Sequence, residues 1–181
     1  MKLKNETLSK NFLIYGFGKS GISSLKYLKK KNKCFIFDDD KKKIKDKYKK
    51  FFISKSKLLN NNFDYIVISP GININKCQLS NYLKKNQKKV ITDFDIFYKF
   101  NPEVLTITIT GTNGKSTTSK LLYDILKKHH YDTRLTGNIG NPILEEKRVN
   151  KNSGIFEILK RCELSFKEFQ KINEYCYEKK N

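Results

Sequence analysis

Thr110-Gly111-Thr112-Asn113-Gly114-Lys115-Ser116-Thr117 combines residue types that handle phosphate. A β-branched run, Val104 to Thr110, leads into it, and a helical pattern follows from Lys115. Backbone N–H groups of such a turn cradle a triphosphate. Lys115 would neutralise the β- and γ-phosphates, and the Ser116 hydroxyl would ligate Mg²⁺. The strict loop G-x-x-x-x-G-K-[ST] requires Gly at position 109, which is Ile109 here, so this is a variant with its first glycine displaced to Gly111.

A second turn, Gly16-Phe17-Gly18-Lys19-Ser20-Gly21, fits G-x-G-x-x-G between a strand pattern and a helix pattern. Its glycines permit a tight turn and close backbone approach, and the helix start offers N–H groups to a phosphate. Asp38, closing the next strand pattern, lies where an acidic residue would meet a ribose. Taken alone, the turn serves NAD, FAD or another nucleotide equally, or merely packs a helix on a sheet.

The elements that must position these turns follow from hydrophobic periodicity. Residues 11–16 and 34–38 read as strands, 49–54 as a weaker third and 64–69 as a fourth ended by Pro70-Gly71. Helices are expected from Ser20 to Lys31, with Ile22, Leu25 and Leu28 on one face, and over 77–86. Strand 89–92 and a short helix 93–100 follow. Strands separated by helices imply a parallel sheet. The segment 100–103 marks a boundary. Beyond it, strand 104–110 starts a second α/β unit, whose helix runs from Lys115 to about Lys128 and is expected to bury Leu121, Leu122, Ile125 and Leu126. Residues 133–142 read as a strand ending in a loop. His129 and His130 at the helix end suit its C-terminal dipole and are given no catalytic role.

Composition narrows the function classes. Of 38 basic residues only Arg134, Arg148 and Arg161 are arginines, although the formal net charge is +20. Base-edge and bidentate phosphate recognition favours Arg. Lysine runs amid Asn, Ile and Tyr instead fit codon bias in an A+T-rich genome, and a nucleic-acid function is not expected. No apolar run reaches the roughly 20 residues of a membrane span. The cysteines (Cys34, Cys77, Cys162, Cys176) are scattered without a C-x-x-C pair, which fits reduced thiols in a cytoplasm.

Several motifs in order carry a family resemblance: "GFGKSG" (16–21), "VISPGI" (67–72), "ITDFDIF" (91–97), "GTNGKST" (111–117) and "GNIGNP" (137–142). Together they resemble the Mur ligase family, related to the folylpolyglutamate synthases, and within it the D-glutamate-adding branch. The resemblance covers residues 8 to about 150. It implies a Rossmann-like domain holding a UDP-sugar (residues 1–101), followed by the beginning of a P-loop ATPase-type central α/β domain (102–181). It explains why one chain carries two phosphate-type turns.

Residue by residue, the resemblance implies that Gly18, Lys19 and Ser20 line the UDP diphosphate and that Asp38 and Asp39 meet the uracil or its ribose. Ser69, Pro70 and Gly71 would form the turn beside the uridine. Asp40 stands where family members often carry a basic or polar residue. Gly111, Thr112, Asn113, Gly114, Lys115, Ser116 and Thr117 would bind ATP, and Asn138 would face the reacting end of the substrate. Ser116 and Glu157 would serve Mg²⁺. The implied chemistry has two steps. ATP phosphorylates the alanine carboxylate of UDP-N-acetylmuramoyl-L-alanine, and the amine of D-glutamate attacks the acyl phosphate. Lys115 and Mg²⁺ would hold the mutually repelling carboxylate and triphosphate together.

Past residue 150 the resemblance fades: "EILKRCEL" follows Glu157 in place of the family's Ser-Ser-x-Gln-Leu type segment. The family also needs a His, a carbamylated Lys and a C-terminal domain for the incoming amino acid. The expectation is a truncated ligase that binds without turning over, unless a second chain supplies the rest. Ser165-Phe166-Lys167-Glu168 fits a capping box, with Phe166, Phe169, Ile172 and Cys176 on one helical face. The competing class is a non-catalytic nucleotide-binding module, which NADH competing with the UDP-sugar would reveal.

Overall fold

The computed structural model describes residues 9–40, 42, 44–102, 104–109, 113–137, 140–146 and 154–158, the last five as backbone. The chain divides into two compact units, one of residues 1–105 with 141–153 and one of 106–140 with 154–181.

In the first unit, strands β1 (Asn11–Tyr15), β2 (Lys33–Phe37), β3 (Tyr65–Ile68) and β4 (Val90–Ile91) form a parallel sheet in the order β2-β1-β3-β4. Helices α1 (Lys19–Leu28), α2 (Lys55–Leu59), α3 (Ser80–Lys85) and α4 (Asp93–Phe100) lie between or after the strands. The strands are short and apolar on both faces, as a sheet covered on both sides requires. Alternation along β1 sends Phe12 and Ile14 to one core and Leu13 and Tyr15 to the other. Leu25 and Leu28 of α1 and Ile96 of α4 close the first core. Leu58 of α2 and Leu83 of α3 close the second with Phe63 and Leu79. This is a doubly wound three-layer arrangement, the parallel α/β class read from the sequence.

A 3₁₀ turn, Ile143–Glu145, belongs to the same unit. Ile143 is buried, Leu144 packs on the α1 core, and Lys26 of α1 holds Glu145 at 2.9 Å.

The expected third strand over 49–54 is not one. Residues Asp46–Phe51 form a 3₁₀ turn, and a single parallel bridge pairs Phe52 with Ile36. Tyr48 of this turn packs edge-on against Phe17 in one core, and Ile53 beyond it enters the other.

The second unit holds β5 (Leu105–Ile109), α5 (Lys115–Lys128), β6 (Thr133–Gly137) and β7 (Gly154–Ile158), with sheet order β5-β7-β6. β6 and β7 run parallel, Thr136 opposite Glu157. α5 ends in a Schellman arrangement: His130, at φ 62°, donates to the Lys127 carbonyl, and Tyr131 donates to the Leu126 carbonyl. The expected buried face of α5 is rotated. Its inward stripe is Ser119, Leu122, Tyr123 and Leu126, while Leu121 and Ile125 are 60% and 45% exposed. Ser119 is small enough to let the helix approach its sheet, and its hydroxyl bonds the Lys115 carbonyl at 2.9 Å. That seating turns Leu121 and Ile125 outward.

Candidate functional site

The strand order of the first unit reverses between β1 and β3, and ligands of open parallel sheets bind outside the carboxyl ends of strands at such a point. The turn after β1, Asp38–Asp39 after β2 and Ser69–Gly71 after β3 all stand there. The structure therefore brings together Gly18, Lys19, Ser20, Asp38, Asp39, Ser69, Pro70 and Gly71.

The three glycines of the turn have different duties. Gly16 sits at φ 90°, and a Cβ there would lie 2.9 Å from both Ser69 Cβ and Ile72 Cγ1. A Cβ on Gly21 would come within 2.1 Å of the Gly16 carbonyl oxygen, so α1 packs on the turn only because that atom is missing. Gly18 is exposed, and a Cβ there meets nothing within 4 Å. Two glycines build the turn. The third leaves open space at the helix start, where it is the N-cap without a side-chain cap.

Asp38 acts mainly inward. It is buried, its carboxylate accepts the Phe17 N–H at 2.6 Å and the Asp40 N–H at 2.9 Å, and it thereby fixes the glycine turn against the end of β2. Asp39 is exposed and accepts the Tyr15 hydroxyl at 2.7 Å. Burial pushes the Tyr15 phenol well above its ordinary value, and its bonds to Asp39 and Cys77 add to this. Ser69 donates its hydroxyl to the Gly16 carbonyl at 2.6 Å, linking the turns after β3 and β1. Lys19 is exposed beside Gly18, and Pro70 and Gly71 are exposed after Ser69.

One residue of this site was missed. Asp93, the first residue of α4, is buried, and its Oδ2 accepts the Ser20 hydroxyl. Burial raises its carboxyl. The Ser20 hydroxyl and the Asp93 and Phe94 amides oppose that, while the Asp95 charge adds to it. The only signal in the sequence was an aspartate opening a helix; its partner is 73 positions away.

In the second unit Gly114 caps α5 at φ 76°, left-handed, without a side-chain cap. The first bond back into the helix is from the Thr118 N–H to the Gly114 carbonyl at 2.9 Å. The amides of Ser116 and Thr117 thus precede the hydrogen-bonded ladder, as a helix start that receives an anion requires. Lys115 is half-buried at the first helical position, and Asn113, Ser116 and Thr117 are exposed. An Mg²⁺ ion bound with a triphosphate fits the exposed Ser116 hydroxyl, whereas no cluster of three metal-ligating side chains occurs among the described residues. Gly111, Thr112 and Asn138 lie outside the described residues, and Glu157 is described by its backbone alone.

A strand, a glycine-bearing turn and a helix start recur in both α/β units, the arrangement of Rossmann-like and P-loop-type folds. The MurD-like N-terminal domain of Mur ligases matches residues 10–92, and the Mur ligase middle domain matches residues 109–166. The chain belongs to the Mur ligase family. The UDP-N-acetylmuramoylalanine--D-glutamate ligase of Rickettsia bellii is 33% identical over 152 residues, 82% of this chain and 33% of that protein. The enzyme of the same description from Clostridioides difficile is 30% identical over 180 residues, 92% of this chain and 38% of that one. A solved structure, the UDP-N-acetylmuramate:L-alanyl-gamma-D-glutamyl-meso-diaminopimelate ligase from Neisseria meningitides, has a TM-score of 0.46 and 14% identity, covering 83% of this chain and 52% of that one. The chain spans about a third of the length of the curated relatives it matches.

Proposed function

We propose that this chain provides the UDP-sugar-binding domain and the ATP loop of an ATP-dependent UDP-N-acetylmuramoyl-L-alanine:D-glutamate ligase, acting in cytoplasmic peptidoglycan precursor synthesis. The observation that carries the reading is the glycine turn at the strand-order reversal, with Gly18 opening space before an uncapped helix start, inside a match to the MurD-like N-terminal domain. The turn takes the diphosphate on the amides at the start of α1, with Lys19 supplying a positive charge. Asp38 keeps that turn in place, and Ser69 to Gly71 flank the uridine.

At the second turn, the amides of Ser116 and Thr117 receive ATP phosphates and Lys115 neutralises their charge. Ser116 would hold Mg²⁺, which when bound screens the triphosphate as a carboxylate oxygen approaches. Asn138 would orient the alanine end of the UDP-sugar, and Glu157 is the proposed second Mg²⁺ side chain. D-glutamate binding falls to parts of the ligase outside the two matched domains.

The test is thermal unfolding with UDP-N-acetylmuramoyl-L-alanine, Mg-ATP and NADH in parallel. A ligand at about 100 times its Kd stabilises by roughly 2.7 kcal/mol. Stabilisation by the UDP-sugar and not by NADH supports the reading. Stabilisation by NADH, with indifference to the UDP-sugar, would replace it with a dinucleotide-binding module.

A further inference from the structure

Ser20 presents a problem for anion binding. Its hydroxyl carries one proton, and that proton lies on the bond to Asp93 Oδ2, because an ionised carboxylate can only accept. With the proton directed at Asp93, Ser20 turns lone pairs toward the open side of the cradle, where they repel a phosphate oxygen. Asp93 is only 3% exposed, and its other oxygen, Oδ1, is buried without a hydrogen-bond partner. A buried carboxylate with one orphaned oxygen is held in its less comfortable protonation state.

We propose that Asp93 is a proton-linked positioning residue for the diphosphate: ligand binding draws one proton from solvent onto the Asp93 carboxyl, which then donates to Ser20 Oγ and releases the Ser20 hydroxyl proton to a phosphate oxygen. This rests on the UDP-sugar reading of the site. No covalent bond to carbon or phosphorus changes. One proton enters from water and one hydroxyl hydrogen bond changes partner.

The surroundings agree. α1 faces α4 with Ser20, beside exposed Lys19, and β4 contributes only Val90 and Ile91. The Ile143–Glu145 turn brings Glu145, which is engaged by Lys26. The side-chain charge acting on Asp93 is that of Asp95, two positions on; it favours the protonated form, as does burial, and together they outweigh the Ser20 hydroxyl and the Asp93 and Phe94 amides, which favour the ionised one. The arriving diphosphate adds negative charge and raises the carboxyl further.

The experiment is calorimetric titration of the full chain with UDP-N-acetylmuramoyl-L-alanine, whose diphosphate diester and carboxylate stay ionised near neutral pH. It is run in buffers of different ionisation enthalpy and repeated from about pH 6 to about pH 8. Wild-type protein takes up a proton on binding, and its affinity falls by up to about tenfold per pH unit as pH rises. Asp93→Asn, whose side-chain amide always donates, binds without proton uptake and with a flat pH profile. Ser20→Ala also loses the uptake and binds more weakly, because the relay is gone. Wild-type binding without proton uptake, or an undiminished pH slope in Asp93→Asn, would overturn the inference while leaving the UDP-sugar site standing. Failure of the wild type to bind would sink both.

Discussion

The Ser69 hydroxyl donates to the Gly16 carbonyl at 2.6 Å across the point where the strand order of the sheet reverses. One hydrogen bond thus ties the loop after β3 to the loop after β1 and fixes the two walls of the proposed uridine diphosphate site. That carbonyl also bounds the space beside Gly21, so the turn is held from the Ser69 side and packed from the α1 side.

The glycines separate folding from binding. Gly21→Ala places a methyl against the Gly16 carbonyl and is expected to cost about 3 kcal/mol, read as a lower urea midpoint. Gly18→Ala meets no neighbouring atom and is expected to change stability by less than about 0.5 kcal/mol. On the proposed reading its methyl enters the diphosphate's space, so calorimetry should show UDP-sugar affinity reduced about tenfold, roughly 1.4 kcal/mol.

Asp38 is expected to act through structure. Asp38→Ala leaves the Phe17 and Asp40 amides without their acceptor, at about 1–3 kcal/mol for a buried one. The loss should appear in unfolding without ligand. Asp38→Asn keeps one acceptor and should recover part of it. A variant of normal stability that binds UDP-sugar poorly would move Asp38 to direct ligand contact.

Lys115→Ala tests the second turn. Loss of a charge-assisted bond of about 1.5–3 kcal/mol weakens Mg-ATP binding by roughly 10- to 150-fold. UDP-sugar binding should stay within about twofold of wild type. Equal loss of both ligands would show that the substitution had damaged the fold.

Cys34 predicts an alkaline limit. Burial pushes its thiol up to about 11. The unfolded chain ionises this group at lower pH, so it binds fewer protons there and stability falls as pH rises. The contribution is complete below the ordinary thiol value and is lost on passing through about pH 11. At 1.36 kcal/mol per unit it amounts to about 2–3 kcal/mol. Cys34→Ala should be less stable near neutrality and flatter above about pH 9 in urea melts. A wild type whose stability is constant through that range would contradict this.

How much was legible follows from which forces are local. The glycine turns could be read because positive φ and missing Cβ atoms restrict the residue type at a single position. The strands and α1 were legible within a few residues, since β-branched runs and helical spacing report burial directly. What failed depended on distant partners. The 49–54 segment looks like a strand, whereas its 3₁₀ turn is seated through Tyr48 on Phe17, far away in the sequence. The apolar residues of α5 announce a helix, while Ser119 decides which of them turn inward. For Asp38, a ribose ligand by position, the fold adds what the sequence does not show, that each of its oxygens also accepts a backbone amide. Nothing near Ser20 in the sequence signals Asp93.

Ile143 and Leu144 close the α1 and α4 side of a sheet whose strands all come earlier in the chain. On a ribosome the first unit therefore emerges with one wall incomplete, and the whole glycine-turn strand and α5 of the second unit must be made before that wall arrives. Synthesis carries Gly114 and α5 out before residues 143–145, so the first unit gains its last packed turn only after that part of the second has been made.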